Sequence, residues 1–534
     1  MIADVAHSLG LEPDEVHAYG PHAAKLELSA IDRLAGEPDA RIVSVTSMTP
    51  TRFGEGKTTT SVSLTQGLGR IGEKPVLCLR EPSLGPVFGL KGGGTGGGLA
   101  QIVPMEEINL HFTGDIHAIG AANNLLAAML ETHLLQGNDL GIDPHTVTWR
   151  RCIDMDDRAL RQVVVGLGGR PNGFPRETGF DITAASEVMA IVAVASDLAD
   201  LRARLGAITV ARTFDGEPVT AEQIGAAGSM TVLLRQALKP NLVQTLEGQP
   251  VLVHCGPFAN IAHGNNSLVA DRLGLKLGDW LVTESGFGAD MGFEKFCDIV
   301  CPLGGFGPSL VVLVATVQAL KHHGGDDDGG LDALERGFSN LRAALGVVHA
   351  FGLPCVVAVN RFPSDSPAEI DAARRLAAEL PVDGVAVNEG FERGGDGAAT
   401  LAEAVVAAAP AARPELEELY RHDAPIAEKI EAIATRIYGA AGIDLAPAAR
   451  AQAASLDSKV PICMAKTHLS FSHDPTLIGA PTGFTLPVRE LRPYTGAGWI
   501  VAMCGDMQTM PGLPKDSAAR RIDIDAAGET VGLR

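Results

Sequence analysis

"RIVSVTSMTPTRFGEGKTTTSVSLTQGLGRIG", residues 41–72, is the stretch on which the fold reading turns. Its first eight residues, "RIVSVTSM" (41–48), are apolar and β-branched, as a buried strand requires. From Thr58 onward the pattern is helical. Between them Gly56, Lys57 and Thr58 complete a G-x-x-x-x-G-K-[ST] pattern whose first glycine position is held by Thr51. Strand, glycine loop and helix together form the arrangement in which backbone N–H groups turn onto phosphate oxygens. Gly54 and Gly56 permit the turn, Lys57 would reach the terminal phosphates, and the Thr58 hydroxyl would hold Mg²⁺. The bland alternative is a glycine turn capping a helix. Arg52, also in the loop, either touches a phosphate or is solvated.

Outward from this stretch, similar apolar runs recur: "KPVLCLREP" (74–82), "PVLVHC" (250–255), "WLVTESG" (280–286), "SLVVLVAT" (309–316) and "PCVVAVNRF" (354–362). Helical patterns such as "SPAEIDAARRLAAEL" (366–380) lie between strands. The expected fold is α/β: a P-loop NTPase-like, mostly parallel sheet with helices on both faces, plus smaller α/β C-terminal domains. "GGRPNGFPRETGF" (168–180) and "HHGGDDDGG" (322–330) read as long loops, the second as a domain border. Residues 410–454 are Ala- and Glu-rich and read as helical, and the last eighty return to short strands. The expected domains are 1–330, 331–455 and 456–534.

A chain of 534 residues exceeds what one core serves, so several domains are expected. Hydrophobic residues at 46% and charged residues at 20% describe a packed protein and exclude a disordered one. A net charge of −21 argues against a nucleic-acid partner, which needs a basic footprint. The eight cysteines are scattered and suggest a reducing compartment rather than a disulfide framework. The acidic start has no secretory core, and no 18-residue apolar run suggests a membrane span, so a cytoplasmic location is expected.

"REPSLGPVFGLKGGGTGGGLAQIVPMEEINLHFTGDIHAI" (80–119) follows the second strand. Six glycines from Gly92 to Gly98 make a loop that can approach a ligand closely. Arg80 stands at a strand's C-terminal end, the usual place for sites in parallel sheets, where it could fork onto a carboxylate or acyl phosphate. Glu81 would orient that arginine or a metal, or either residue could form an ordinary salt bridge. His111, Asp115 and His117 could be a proton-transfer pair, a metal site or a structural cluster.

With these residues stated, the chain resembles the formate–tetrahydrofolate ligase (formyltetrahydrofolate synthetase) family nearly end to end. The blocks are "TPTRFGEGKTTT" (49–60), the 80–119 stretch, "VLVHCGPFANIAHGNNS" (251–267), "GFGADMGFEKFCDI" (286–299), "VATVQALKHHGG" (314–325), "VVAVNRFPSDSPAEI" (356–370) and "GDMQTMPGLPK" (505–515). The resemblance implies that ATP phosphorylates formate to formyl phosphate. The N10 amine of tetrahydrofolate then attacks the formyl carbon. It implies an ATP loop of Thr51, Arg52, Phe53, Gly54, Glu55, Gly56, Lys57 and Thr58, with Lys57 among the catalytic residues. It places Arg80, Glu81 and Phe287 around formyl phosphate, makes His111 the better catalytic histidine, and gives the folate to Phe362 and Phe391. By the same resemblance the first segment binds nucleotide and formyl phosphate and the second binds folate. A homotetramer and a monovalent-cation activator are also implied.

The chain departs from the family pattern at Phe391, where a Trp is usual, and at Gly94, Thr95 and Leu99, where two alanines and a tyrosine are usual. Gln318 stands for an arginine. A phenyl ring stacks with less area than an indole. The loop containing His254 and His263 is expected to line the site. Two other functions fit the same loop: a regulatory or assembly NTPase, and a folate-binding paralogue with weak activity.

Overall fold

The structure, a computed structural model, describes residues 1–89, 93–505 and 507–533. Its centre is a twelve-stranded sheet. In chain order the strands are β1 (Val16–Tyr19), β2 (Ala23–Leu26), β3 (Arg41–Ser47), β4 (Pro75–Leu79), β5 (Gly96–Gly97) and β6 (Ala100–Val103). There follow β7 (Asn241–Thr245), β8 (Pro250–Val253), β9 (Trp280–Glu284), β10 (Leu310–Thr316), β11 (Cys355–Asn360) and β12 (Gly384–Asn388). The spatial order is β1-β2-β7-β8-β4-β9-β3-β10-β11-β12, with β6 joined to β7 and β5 to β6. Every neighbouring pair from β8 to β12 is parallel. The β1–β2, β2–β7, β7–β8 and β6–β7 pairs are antiparallel.

Five helices bear on the site: α1 (Lys57–Arg70), α2 (Asp115–Leu135), α3 (Leu268–Leu277), α4 (Leu331–His349) and α5 (Gly390–Ala408). The last is broken at Gly394, where φ is 56°. Strand β10 shows why both sheet faces are covered. Leu310, Val312 and Val314 share a core with Val62 and Leu64 of α1 and Leu401 of α5. The alternate residues Val311, Leu313 and Ala315 share another with Leu334 and Leu341 of α4. A strand apolar on both faces needs helices on both. Helices α1 and α5 approach closely at Gly67, where an added Cβ would lie 2.7 Å from the Ala398 carbonyl oxygen.

A second sheet holds β13 (Gly442–Leu445), β14 (Ile462–Ala465), β15 (Thr485–Tyr494) and β16 (Trp499–Cys504), in the order β13-β15-β16-β14. Met464, Leu486, Val488 and Ile500 of this sheet share the α4-side core of the large one. The large sheet continues past residue 330 through β11 and β12, and β13 joins strands that follow residue 455.

The α/β reading and its six strands appear as expected. Strands β1, β2, β5, β6, β7 and β12 are additional to these. The stretch 168–180 contains a strand, Arg176–Thr178, paired antiparallel with Val163–Val165. The expected helix over 410–454 begins only at Ile426, and β13 interrupts its end. Pro410, Pro414 and Pro425 account for the delay, because proline removes a helical donor and clashes with the preceding turn. The eight cysteines are buried and unbridged. Among the described residues no helix is long and apolar enough to cross a membrane. Of the glycine loop, Gly92 lies outside the described residues.

Glu187 fastens the helix Glu187–Val194 to the second sheet. Its buried carboxylate accepts from the backbone N–H of Gly496 at 2.8 Å and of Ala497 at 3.4 Å, in the turn between β15 and β16. Burial pushes this carboxyl up to about 7, against the lowering effect of those two donors. A raised folded-state pKa favours folding below the ordinary carboxyl range, and that contribution is lost as pH rises through about 7. Glu187→Gln keeps an oxygen acceptor without the titration. The variant is expected to melt progressively higher relative to the parent protein between pH 5 and pH 8, by up to about 3 kcal/mol in stability. Thermal melts at a series of pH values read this difference.

Candidate active site

Strand order places the chemistry. β9 lies between β4 and β3, so the C-terminal ends of these three parallel strands stand side by side. β3 ends at Ser47 and leads to the glycine loop, β4 is followed by Arg80, and β9 ends at Glu284. The carboxyl ends of strands in an open parallel sheet are where such folds keep ligands.

Gly56 is the residue before α1 and has φ 67°, a left-handed conformation that glycine adopts without strain. The loop is braced from within by Glu55, whose carboxylate accepts the Thr51 N–H at 2.6 Å. From α1, Lys57 directs its ammonium to within 3.4 Å of Ser47 Oγ. Burial lowers the Lys57 pKa and Arg80 lowers it further, while Glu55 and Glu284 oppose both effects. Two cations therefore face one small region, as binding of a polyanion requires.

Glu284 joins these elements. Thr58 Oγ1 donates to one carboxylate oxygen at 2.7 Å, and Arg80 donates to the other at 3.1 Å. The sequence reading passed over this residue. Its signal was a single acid closing an otherwise apolar strand in "WLVTESG". Loop 263–267 holds it from behind, where Asn265 Nδ2 donates to the Glu284 carbonyl and to Ser285 Oγ.

Beside Arg80, Glu81 is buried, and its Oε2 has no hydrogen-bond partner among the described residues. Burial pushes its carboxyl well above the usual range, and the Asp115 charge adds to the shift. Burial thus favours the neutral form of Glu81. Arg80 Nε is likewise buried and unpartnered among the described residues. Asp154 accepts from Ser83 Oγ at 2.5 Å and from the Leu84 N–H at 2.9 Å. Burial raises its pKa as well, against the lowering effect of the Ser83 and Leu84 donors.

The histidine cluster separates in space. Asp115 is buried and pairs with Lys25 at 2.8 Å and with Asn241 at 2.8 Å. His111 and His117 are exposed. Of the alternatives for this cluster, a His–Asp proton-transfer pair gives way to an internal ion pair, because the start of α2 points Asp115 into the core. His254 is structural: its ring nitrogens lie 2.6 Å from Ser267 Oγ and 2.7 Å from the Ala237 carbonyl, and burial lowers its pKa to about 4. His263 is also buried and packs edge-on against Trp499, with its ring centroid 5.5 Å away.

Phe287 meets the loop. Its backbone is left-handed at φ 59°, and its carbonyl accepts from Ser47 Oγ at 3.2 Å. Phe362 lies over Gly56: a Cβ added there would sit 3.9 Å from its ring. Phe391 packs on the glycine loop, where Cβ atoms at Gly97 and Gly98 would lie 3.1 and 3.0 Å from its ring, and its carbonyl accepts the Leu99 N–H at 2.9 Å. The two departures Phe391 and Leu99 are thus neighbours, both partly exposed. Thr95 accepts from Asn109 at 3.2 Å, Asn109 accepts from the Gly94 N–H at 2.9 Å, and Gln318 donates to Ser364 at 3.2 Å. Arg52 turns away from the loop mouth to Asp327 at 2.8 Å, with Phe53 beneath its guanidinium.

A buried polar network links the phosphate-loop candidate to the Phe391 segment. Asn360 Nδ2 donates to the Glu55 carbonyl at 2.9 Å and the Gly56 carbonyl at 3.3 Å, while Asn360 Oδ1 accepts from Thr60 at 2.9 Å. Asn388 donates to Asn360 at 2.9 Å and accepts from Ser63 at 3.2 Å and the Gly390 N–H at 3.1 Å. The signal in the sequence was "VAVN", present at both 357–360 and 385–388. Two adjacent parallel strands end in the same asparagine, paired in register.

A model of the formate–tetrahydrofolate ligase family matches residues 1–534. Among the relatives, a protein of that name from Paracoccus denitrificans (strain Pd 1222) is 55% identical over 100% of this chain and 97% of its own length. Relatives of the same name from Roseiflexus sp. (strain RS-1) and Desulforamulus reducens are 53% and 51% identical, covering 99% and 100% of this chain and 97% of each relative.

Asn360→Ala would remove the side-chain donor to the Glu55 and Gly56 carbonyls and the oxygen that accepts from Thr60 and from the buried Asn388 amide. Orphaned buried polar groups cost about 1–3 kcal/mol each. The variant is expected to melt at a lower temperature than the parent, and its amides over 55–60 are expected to exchange faster in hydrogen-exchange mass spectrometry. Unchanged exchange there would show that the asparagine does not hold the loop.

Proposed function

The chain belongs to the formate–tetrahydrofolate ligase family, and on that premise we propose that it joins formate to tetrahydrofolate with ATP, at the strand-end cluster around Lys57, Glu284 and Arg80. The observation that carries this reading is the chain of contacts from Thr58 through Glu284 to Arg80, beside the Lys57 ammonium. It sets a phosphate-binding loop against an arginine that suits a one-carbon acid.

Formate is a poor acyl donor because its leaving group would be oxide. Transfer of the terminal phosphoryl group of ATP to formate gives formyl phosphate and ADP, and phosphate then becomes the leaving group. Phosphoryl transfer depends on positioning and charge neutralisation. The loop N–H groups from Gly54 to Thr58 and the Lys57 ammonium cradle the phosphates, and Thr51, Arg52, Phe53 and Glu55 shape that loop. The Thr58 hydroxyl and the Glu284 carboxylate are hard oxygen donors that meet at 2.7 Å, and they fit Mg²⁺. When bound, that ion neutralises charge on the phosphoryl oxygens.

Arg80 holds the carboxylate of formate. Burial raises the pKa of Glu81, which favours its neutral form and lessens repulsion of the formate carboxylate. Phe287 shields the acyl phosphate from water. The pterin sits between Phe362 and Phe391, at the ends of neighbouring strands β11 and β12. Attack by N10 on the formyl carbon releases phosphate and gives 10-formyltetrahydrofolate. His111, exposed beside Asp154, takes the proton that N10 loses. Activation by a monovalent cation, a homotetramer and a cytoplasmic location complete the reading, supported by the resemblance of the sequence blocks. The regulatory NTPase and weak-paralogue readings have no specific structural observation in their favour.

Purified protein with Mg-ATP, formate and tetrahydrofolate is expected to yield 10-formyltetrahydrofolate, read as methenyl-folate absorbance after acidification. ¹⁸O from labelled formate is expected in the released phosphate. Lys57→Ala is expected to cut turnover roughly a hundredfold or more, and Glu284→Gln to raise the Mg²⁺ concentration needed for half-maximal rate. Release of ADP without formate dependence would instead indicate a nucleotide switch.

A further inference from the structure

The small C-terminal sheet supplies a side chain to the site. β14 ends at Ala465, and the next residue, Lys466, is fully buried. Its ammonium pairs at 2.6 Å with Asp290, itself fully buried, only three residues after Phe287. The same ammonium donates to the Ser470 carbonyl at 2.6 Å and the Thr467 carbonyl at 3.2 Å, and it lies 4.7 Å from the centre of the Tyr438 ring. Residues 466–470 are thereby drawn into a tight turn around one buried charge. Breaking one half of such a pair leaves an uncompensated ion in the core, so the turn has little freedom.

His468 stands in that turn. Its imidazole lies against the Phe287 ring with centroids 4.3 Å apart and planes 28° from parallel, and both rings are half-buried. Phe287 needs such support. A left-handed backbone at a bulky residue is strained and persists only where its surroundings over-determine it. The Ser47 Oγ bond to its carbonyl fixes the backbone. The ring is held by contacts of its own, and the stacked imidazole is one of them.

We infer that His468 is a positioning residue of the formyl-phosphate compartment: it holds the Phe287 ring in the orientation that excludes water from the acyl phosphate. This rests on the reading of Phe287 given above. The Lys466–Asp290 pair carries the position of the small sheet into the site, so the histidine reaches Phe287 across the boundary between two sheets. If the ring is released, water attacks the formyl carbon, returning formate and inorganic phosphate, and ATP is consumed without product.

The test is the ratio of ADP released to 10-formyltetrahydrofolate formed, measured with all three substrates present. The ratio is expected to be near one in the parent protein. In His468→Ala it is expected to rise roughly two- to tenfold, the worth of a stacked ring pair, and in His468→Phe, which restores a flat ring, to return toward one. A general loss of fold would lower both quantities together and leave the ratio alone. If His468→Ala does not fold, His468→Gln removes the ring and reads the same ratio. Phe287→Ala is the control. A raised ratio in Phe287→Ala with an unchanged one in the His468 variants overturns the role of His468 and keeps that of Phe287. Unchanged ratios in both overturn the Phe287 reading, and the His468 role with it.

Discussion

A single carboxylate, Glu284, accepts hydrogen bonds from Thr58 and from Arg80. The three residues come from α1, β9 and the end of β4, and they meet because β9 is the strand between β3 and β4. A buried carboxylate needs donors on its oxygens, and one supplied from each side satisfies it. The same arrangement brings a loop hydroxyl, an arginine and a lysine within reach of one another. An anion that enters this region meets cations already held in place, so little reorganisation remains.

The neighbouring polar network imposes a second constraint. Asn360 and Asn388 are buried at the ends of adjacent strands, and each must find partners there. Asn360 finds them in the glycine loop, Asn388 in α1 and the start of α5. The phosphate-loop candidate is therefore attached to the segment carrying Phe391. The aromatic pair proposed for the pterin and the loop proposed for the nucleotide share one rigid frame. The ligase reading requires such a frame, since the acyl phosphate and the attacking amine must meet at a fixed distance.

Much of this was legible in the chain. Strands such as "SLVVLVAT" are apolar on both faces, which permits only a parallel sheet covered by helices. Gly54, Gly56, Lys57 and Thr58 carry their local geometry with them, because a left-handed glycine before a helix is a matter of neighbouring residues. Glu284, Ser47 and His468 were not legible as site residues. Each is ordinary in its own segment, and each acquires a role only from partners ten or more residues away. Asp115 shows the converse. Its neighbours His111 and His117 suggested a partner nearby, but the buried ammonium of Lys25 takes the carboxylate instead.

By itself the sequence determined the alternation of strands and helices, the loop before α1 and the family, because these depend on periodicity, local backbone preference and contiguous motifs. Only the tertiary structure decided which strand ends are neighbours, which carboxyl is shared and which is buried without a partner for one oxygen among the described residues, and that the C-terminal sheet reaches Phe287. Strand order and burial are set by contacts distant in sequence, and the directions in which the Glu81 and Lys57 pKa values move follow from the surroundings that those contacts create.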